Sequence, residues 1–545
     1  KDLTIQTTGL AYALSMFGSV SDNKISGCKV SAPISTSVAS AAFVATALSG
    51  TNSDIEFTGN TFDGGYYGFI WDGNPSSYTP GLLVENNKMT GYYYLGAYFY
   101  YTNGVKVLNN TVTGTPTSYY DMYSAYAEKT PQFIGNRINN NYGYALLMDY
   151  VSGTSTSDKG IIANNVVTMI GGADNYGAIY INYPNSVKMY NNTAYATGSY
   201  SSCYTFGLYM SSGYSNNEIY NNLAVNTGGG YAVYIYNQGT NNIIDYNNWY
   251  TSAATNGYYY NTTQKDFATF RTASGQDKNS LTYDPQINND GSPNPNNSAC
   301  WSLNGRGLHL AGNDKDINGR TRVTLRADGV PDIGAFEFVP ESVPPLATVT
   351  PAVADPGTTQ VFTFGGNEIG RVTWGLNALT APLEVRQYSG EKGTGIAAAA
   401  SPFGSMYFHT DIATLGPGST FDFETEIRYM DIWLGDISNE SNLRMAQKVP
   451  SYQWMVYNDI LSNTNVATNI ITASSLTNYG SFTGLENGSI LSAFVKPLDK
   501  TIICIGVSWC LNTLINLKSN VAWATTDGLK YVVSCYTGII LFLII

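Results

Sequence analysis

VKMYNNTAYA (residues 187–196) decides how this chain is read, because versions of it recur on both sides. LLVENNKMTG (82–91), VKVLNNTVTG (105–114), PQFIGNRINN (131–140) and IIANNVVTMI (161–170) precede it, and EIYNNLAV (218–225) and IIDYNNWY (243–250) follow. IEFTGNTFDG (55–64) is an earlier copy, and VSDNKISG (20–27) reads as an outlying one at Asn23. Counted on the second polar residue, from Asn60 to Asn248, the steps are 27, 23, 26, 29, 27, 30 and 26 residues. A repeat this regular, with loop-sized variation, means stacked supersecondary units. Apolar residues alternate with period two, and Asn, Gly and β-branched residues are poor helix formers, so the units are strands.

Each repeat holds a second apolar strand, as in GFIWDG (68–73), GAYFYY (96–101), GYALLMDY (143–150), GAIYINY (177–183) and GYAVYIYN (230–237). Two or three short strands joined by Gly and Asn corners make one coil of a β-solenoid, rising ~4.8 Å per coil. At such corners Asn tolerates the left-handed backbone conformation, and its amide can bond the same amide one coil away. Asn87, Asn110, Asn165, Asn192, Asn222 and Asn248 are the expected ladder, with Gly59 and Gly135 replacing the first Asn in two copies.

Together with these coils, NSLTYDPQIN (279–288), GRGLHLAGNDKDINGRTR (305–322) and VPDIGAFEF (330–338) resemble the right-handed parallel β-helix proteins of the pectin-lyase-like superfamily, over roughly residues 20–340. The last three segments are similar to the closing segment of many secreted bacterial β-helix proteins. The resemblance implies an extracellular or cell-surface protein of bacterial origin, and does not separate enzymes from non-enzymes.

The expected class is all-β: parallel β-helix coils over 1–261, a closing segment over 262–339, a Pro-punctuated linker over 340–350 and a β-sandwich domain over 351–489. Short alternating strands such as LEVRQYS (383–389) and FDFETEIRY (421–429) carry the sandwich reading. Residues 490–545 form a further β-rich segment, either a second partial sandwich or an assembly strand. Its terminal run YVVSCYTGIILFLII is too short and polar for a membrane helix, and its Val, Ile, Tyr and Phe favour strand.

Composition narrows function by exclusion. Only 12% of residues are charged, the net charge is -12, and no basic cluster exists to neutralise phosphate, which argues against nucleic acid and anionic membranes. The six cysteines form no CxxC pair, which argues against zinc and redox sites and leaves scattered buried thiols as the ordinary reading. Catalytic solenoids that cleave polysaccharides need charged groups converging on one face: a base with calcium ligands, or paired carboxylates. Between residues 61 and 260 there are six Lys or Arg and ten dispersed acids, with no DD or DxD pair. Asp149 is the one catalytic candidate, with Asp72, Asp121 and Glu128 expected to approach it from neighbouring coils. Asp314, Asp316, Asp332 and Glu337 are candidates for calcium, though mixed charges in a closing loop ordinarily pair with one another over the open end of a solenoid. No other cofactor is expected. His309 reads as a local packing residue.

Tyrosine is the unusual feature: 34 of the 44 lie between residues 61 and 260. Period two places Ile179, Ile181, Leu208, Met210, Val233 and Ile235 inward, so Tyr180, Tyr209, Tyr234 and Tyr236 point outward as a binding or assembly face. Tyr98 and Tyr100 are expected inside wider coils. Such a stripe suits protein contacts or sugar rings, or simply stacks neighbouring coils. Three functions follow in order: a non-catalytic structural or surface protein that assembles with itself, even into filaments through solenoid ends, tyrosine faces and the terminal strand; a secreted polysaccharide lyase or glycoside hydrolase; and a carbohydrate-binding adhesin. The expected partners are accordingly a second copy or an extracellular polysaccharide.

Overall fold

The computed structural model describes the chain except residues 51, 141, 172–175, 212, 379–380, 397–403, 415–419, 451, 487–520, 527–528, 537–538 and 545, with backbone only over 521–544. The chain divides into two compact units, the first of residues Lys1–Pro345 together with Phe364–Asn367 and the second of the remainder.

The first unit is a right-handed parallel β-solenoid of three sheets. One sheet stacks ten strands from Thr4–Gln6 to Asn248–Thr251, a second stacks nine from Lys24–Ser26 to Ile243–Asp245, and the third stacks the longest strands, from Tyr12–Gly18 to Tyr258–Tyr260. Within each, a strand pairs in parallel with the equivalent strand of the next coil, so every side chain stands above its counterpart. Inward positions fill a continuous apolar core in which Phe57, Phe69, Trp71, Phe99, Phe133, Phe206 and Trp249 are fully buried. Cys28, Cys203 and Cys300 are buried and not joined in disulfides; Cys504 and Cys510 lie outside the described residues.

The corner between the second and first sheets explains the Asn-Asn pairs, and its two residues have different tasks. The first adopts the left-handed conformation, with φ of 53° at Asn164, 51° at Asn191 and 56° at Asn221, where Gly27, Gly59 and Gly135 serve in other coils. The second turns its amide into the wall and forms the ladder. Asn136 donates its backbone N–H and its Nδ2 to Asn165 Oδ1, each at 3.0 Å, and Asn165 repeats this to Asn192 at 3.1 and 2.9 Å. The ladder runs through Asn60, Asn87, Asn110, Asn136, Asn165, Asn192, Asn222 and Asn247. Asn248 is therefore not its last member. Tyr246 takes the left-handed corner (φ 58°), which moves the amide to Asn247, and Asn248 opens the next strand opposite Leu223. At the other end the equivalent pair is Gly27–Cys28, with the Cys28 N–H donating to Asn60 Oδ1, so Asn23 is not an outlying copy. A shorter amide ladder joins Asn217 to Asn242 at another corner.

The end of the solenoid after Tyr260 is closed. The chain turns back as an antiparallel strand, Thr262–Gln264, and then forms the helix Phe267–Ser274, capped by the Asp266–Thr269 box and by Gly275 in the left-handed conformation. Phe267 and Phe270 are buried in the solenoid core beneath Tyr258. The segment 305–338 was expected over this end and lies instead along the flank, where the first residues of the Asn pairs receive it. Asn164 Nδ2 donates to Asn313 Oδ1, Asn191 Nδ2 to the carbonyls of Asp332 and Gly334, and Asn221 exchanges two bonds with the Leu308 backbone. Gly334, at φ 91°, sits so close that a Cβ would meet Thr193 Oγ1 at 2.9 Å.

The second unit is a sandwich of antiparallel sheets, one of six strands between Thr348–Thr350 and Ser462–Asn465 and one of five between Leu383–Ser389 and Met455–Val456. Phe362, Val372, Val385, Phe408, Met445, Ile471 and Phe482 form its interior. The terminal apolar run forms strands: Leu529–Tyr536 pairs with Val521–Thr526 on one side and Ile539–Ile544 on the other. Among the described residues no helix is long and apolar enough to cross a membrane.

Candidate functional site

The outer face of the long-strand sheet carries the tyrosine candidates and Asp149. Two outward rows follow from the strand register. One passes through Ile70, Tyr98, Tyr123, Leu147, Tyr180, Gly207, Tyr234 and Tyr259; the other through Asp72, Tyr100, Ala125, Asp149, Asn182, Tyr209 and Tyr236. Tyr180, Tyr209, Tyr234 and Tyr236 thus stand outward over buried Ile179, Ile181, Leu208, Val233 and Ile235. Tyr98 and Tyr100 stand there too, not inside, because Ala97 and Phe99 take the inward positions; a tyrosine in the core would need a partner for its hydroxyl.

A third column lies at the corner where these strands end. Tyr101, Tyr126, Tyr150 and Tyr183 all adopt the left-handed conformation, with φ between 53° and 56°. That conformation is costly for a bulky residue, at roughly 1–2 kcal/mol. Their rings stack coil upon coil: Tyr101 to Tyr126 at 5.2 Å, Tyr126 to Tyr150 at 4.8 Å and Tyr150 to Tyr183 at 4.7 Å. Tyr209 meets Tyr183 edge to face at 4.9 Å, and Tyr236 stacks on Tyr209 at 4.9 Å. The sequence reading missed this column, although a Tyr closes the strand in GAYFYY, GYALLMDY and GAIYINY alike. On the opposite margin Tyr120, Tyr144 and Tyr176 are in ring contact, and Tyr176 meets Tyr142.

Gly207 belongs to this arrangement. Its missing side chain leaves room for Tyr180 to lie across the strand, and a Cβ there would come within 2.2 Å of the Tyr180 ring and 3.1 Å of Tyr204. Gly207→Ala is expected to destabilise the solenoid by about 1–3 kcal/mol and to change the near-ultraviolet dichroism of the tyrosines, both read in one thermal melt.

The acidic candidates are not brought together. Asp149 faces outward, accepting from Tyr123 Oη at 2.6 Å and from Asn182 Nδ2 at 2.6 Å. Asp72 lies in the same row but three strand spacings away, ~14 Å, well beyond the 5–9.5 Å range of paired glycosidase carboxylates. Burial raises the Asp72 pKa. Asp121 is fully buried and takes the Tyr92 hydroxyl close to Gly114 and Ser118, so it cannot join Asp149 on the surface. Glu128 sits in register with Asn103, further along the strands. From Ile70 to Tyr259 the outward rows contain no Lys or Arg.

The proposed calcium ligands are occupied by the backbone and by arginine. Asp316 Oδ1 accepts from the N–H groups of Asn318 and Arg320, and its Oδ2 from that of Glu337. Asp332 accepts from Gly305 and Phe338, and Glu337 pairs with buried Arg322. Burial raises the pKa of both Asp332 and Glu337. Asp314 is exposed. Among the described residues no group of three or more His, Cys, Asp or Glu is placed to hold a metal ion. His309 bonds the Gly329 carbonyl at 2.8 Å.

Burial also pushes the phenolic pKa values of Tyr98, Tyr123, Tyr180 and Tyr234 upward, so the face is uncharged apart from its carboxylates. Residues 16–175 match a protein family model described as a right handed beta helix region. No curated protein matches the chain.

Proposed function

We propose that the chain is a non-catalytic structural or surface solenoid of an extracellular setting, with its tyrosine-covered face as the contact surface. The observation that carries this reading is the long-strand face itself: tyrosine rows, two carboxylates far apart, and no cation in the outward rows to act as base or to steady a developing negative charge. On this face, among the described residues, a lyase or hydrolase reading finds no pair of carboxylates at working distance. Sugar stacking is also less favoured, because rings stacked on one another along the solenoid turn their edges outward and keep their faces covered. Large, uncharged aromatic patches of this kind suit contact with another protein surface, a second copy included. The closed end beyond Tyr260 disfavours end-to-end contact there and supports this face as the contact surface.

The test is a polysaccharide-cleavage screen, with and without calcium, alongside negative-stain microscopy. No cleavage, identical behaviour of Asp149→Asn, and regular assemblies that dissolve when Tyr209 and Tyr236 become serine are expected. Release of sugar ends that depends on Asp149 would overturn the reading.

A further inference from the structure

The tyrosine columns make one unbroken run of ring contacts across the solenoid. The corner stack from Tyr236 passes through Tyr126 to Tyr100, thence by Tyr98 to Tyr123 at 5.2 Å, to Tyr120 at 5.4 Å and so to Tyr142. No step exceeds 5.8 Å between centroids. Tyr236 and Tyr142, the two ends, are 37% and 43% exposed, while the rings between them are largely covered.

Electron-rich rings in contact share an electron deficiency readily. A phenol, however, is oxidised easily only if its proton leaves with the electron, since the radical cation is strongly acidic. Burial disfavours release of that proton to water as a phenolate. A base fixed at hydrogen-bond distance removes the obstacle, and Asp149 Oδ2 already accepts a hydrogen bond from the Tyr123 hydroxyl at 2.6 Å, near the middle of the run. Asn182 anchors the other carboxylate oxygen, so the acceptor is oriented beforehand.

We propose that this face is a relay for one-electron oxidation, in which Tyr123 carries the tyrosyl radical, Asp149 takes its proton, and Tyr236 and Tyr142 are the exits at which two copies couple as dityrosine. The oxidant is a peroxide acting through a haem peroxidase. Each of two phenols loses one electron and one proton, a carbon–carbon bond forms between the ring positions next to the hydroxyls, and one peroxide is reduced to two waters. Charge and atoms balance with no other reactant. The relay goes beyond the contact-surface reading and does not depend on it, since radical formation is read on single molecules.

The full chain is treated with hydrogen peroxide and a haem peroxidase, freeze-quenched for electron paramagnetic resonance, and separately followed by dityrosine fluorescence and cross-link mapping. A phenoxyl signal with the signature of a hydrogen-bonded oxygen is expected, reduced severalfold in both Tyr123→Phe and Asp149→Asn. The covalent dimer is expected to map to Tyr236 or Tyr142 and to vanish when both become Phe, while the radical persists. Tyr123→Phe keeps the ring and its packing, so circular dichroism should match that of the parent and exclude misfolding as the cause. An unchanged radical in those two single variants, or cross-links confined to exposed Tyr12, Tyr200 and Tyr452, would overturn the proposal. Failure of assembly in the absence of oxidant would bear only on the contact-surface reading.

Discussion

Replacing Asn165 by alanine is expected to cost the solenoid about 2–6 kcal/mol, with a visible split in its unfolding transition. The Asn165 side chain accepts from the Asn136 backbone and side chain and donates to the Phe133 carbonyl and to Asn192 Oδ1. Alanine removes all four bonds, at about 0.5–1.5 kcal/mol each, and leaves one buried backbone group, the Asn136 N–H, without a partner, whereas the Phe133 carbonyl keeps its place in the strand ladder. The other two partners are protected. Asn136 Nδ2 still reaches the Val107 carbonyl, and Asn192 Oδ1 still receives the residue-165 backbone N–H. Because each coil of a solenoid contacts only its neighbours, a lesion in the middle weakens the coupling between halves as well as the total. Urea denaturation followed by far-ultraviolet dichroism reads both effects. Asn164→Gly is the control: glycine accepts the same left-handed corner and loses bonds to Asn313, Lys315 and Arg322 on the flank but no ladder bond, so it should cost less and leave the unfolding transition single. Equal losses at the two positions would refute the division of labour within the Asn pairs.

That division also shows why the fold was readable and where reading stopped. Stacking forces every coil to repeat the same left-handed corner, and few residues accept it, so the corner imprints Asn and Gly on the sequence at a fixed period. The imprint belongs to the backbone position, not to the letter pair. In IIDYNNWY the left-handed residue is Tyr246, so the doublet slides by one and points to Asn248, whereas the register of Tyr220 with Asp245 selects Asn247. Asn60 and Asn136 belong to the ladder although Gly59 and Gly135 spoil their doublets. In GAYFYY both faces of the strand carry aromatic residues, so period two alone cannot orient it; the hydroxyl does, since Phe99 goes in and Tyr98 and Tyr100 go out. The burial of Asp121 and the placing of residues 305–338 on the flank depend on contacts between distant segments. No local pattern announces those, and the charges that suggested a calcium site turn out to serve backbone N–H groups.

The solenoid is expected to lose stability as pH rises from about 4 to 7, and Asp277→Asn to remove a large share of that slope. Asp277 is fully buried beside the last rung of the Asn ladder. Its Oδ1 accepts from Trp249 Nε1 at 2.9 Å and from Ser280 Oγ at 2.6 Å, and Ser280 Oγ in turn receives the Asn247 N–H. Its Oδ2 has no hydrogen-bond partner. Burial pushes the carboxyl up to about 7, with Asp245 adding to the rise while Ser280 and Trp249 oppose it; Arg271 is the facing cation. The unfolded chain titrates near 3.9. The folded state therefore binds the proton more tightly, so stability is greatest below the unfolded pKa, falls through the interval and is flat above the folded pKa. Three pH units correspond to about 4 kcal/mol as an upper bound. Asp332 and Glu337 carry slopes of the same sign, so the difference between parent and variant, not the parent curve alone, isolates Asp277. Urea midpoints at pH 5 and pH 8 should diverge for the parent and approach each other for Asp277→Asn, which should be the more stable protein at pH 8. Hydrogen exchange should place the loss in the helix Phe267–Ser274, because the ladder hands its last bond to Ser280 just beyond that helix and ionisation of Asp277 unsettles the residues that close the core. Parallel pH curves for the two proteins would mean that Asp277 is already ionised and satisfied in the folded state.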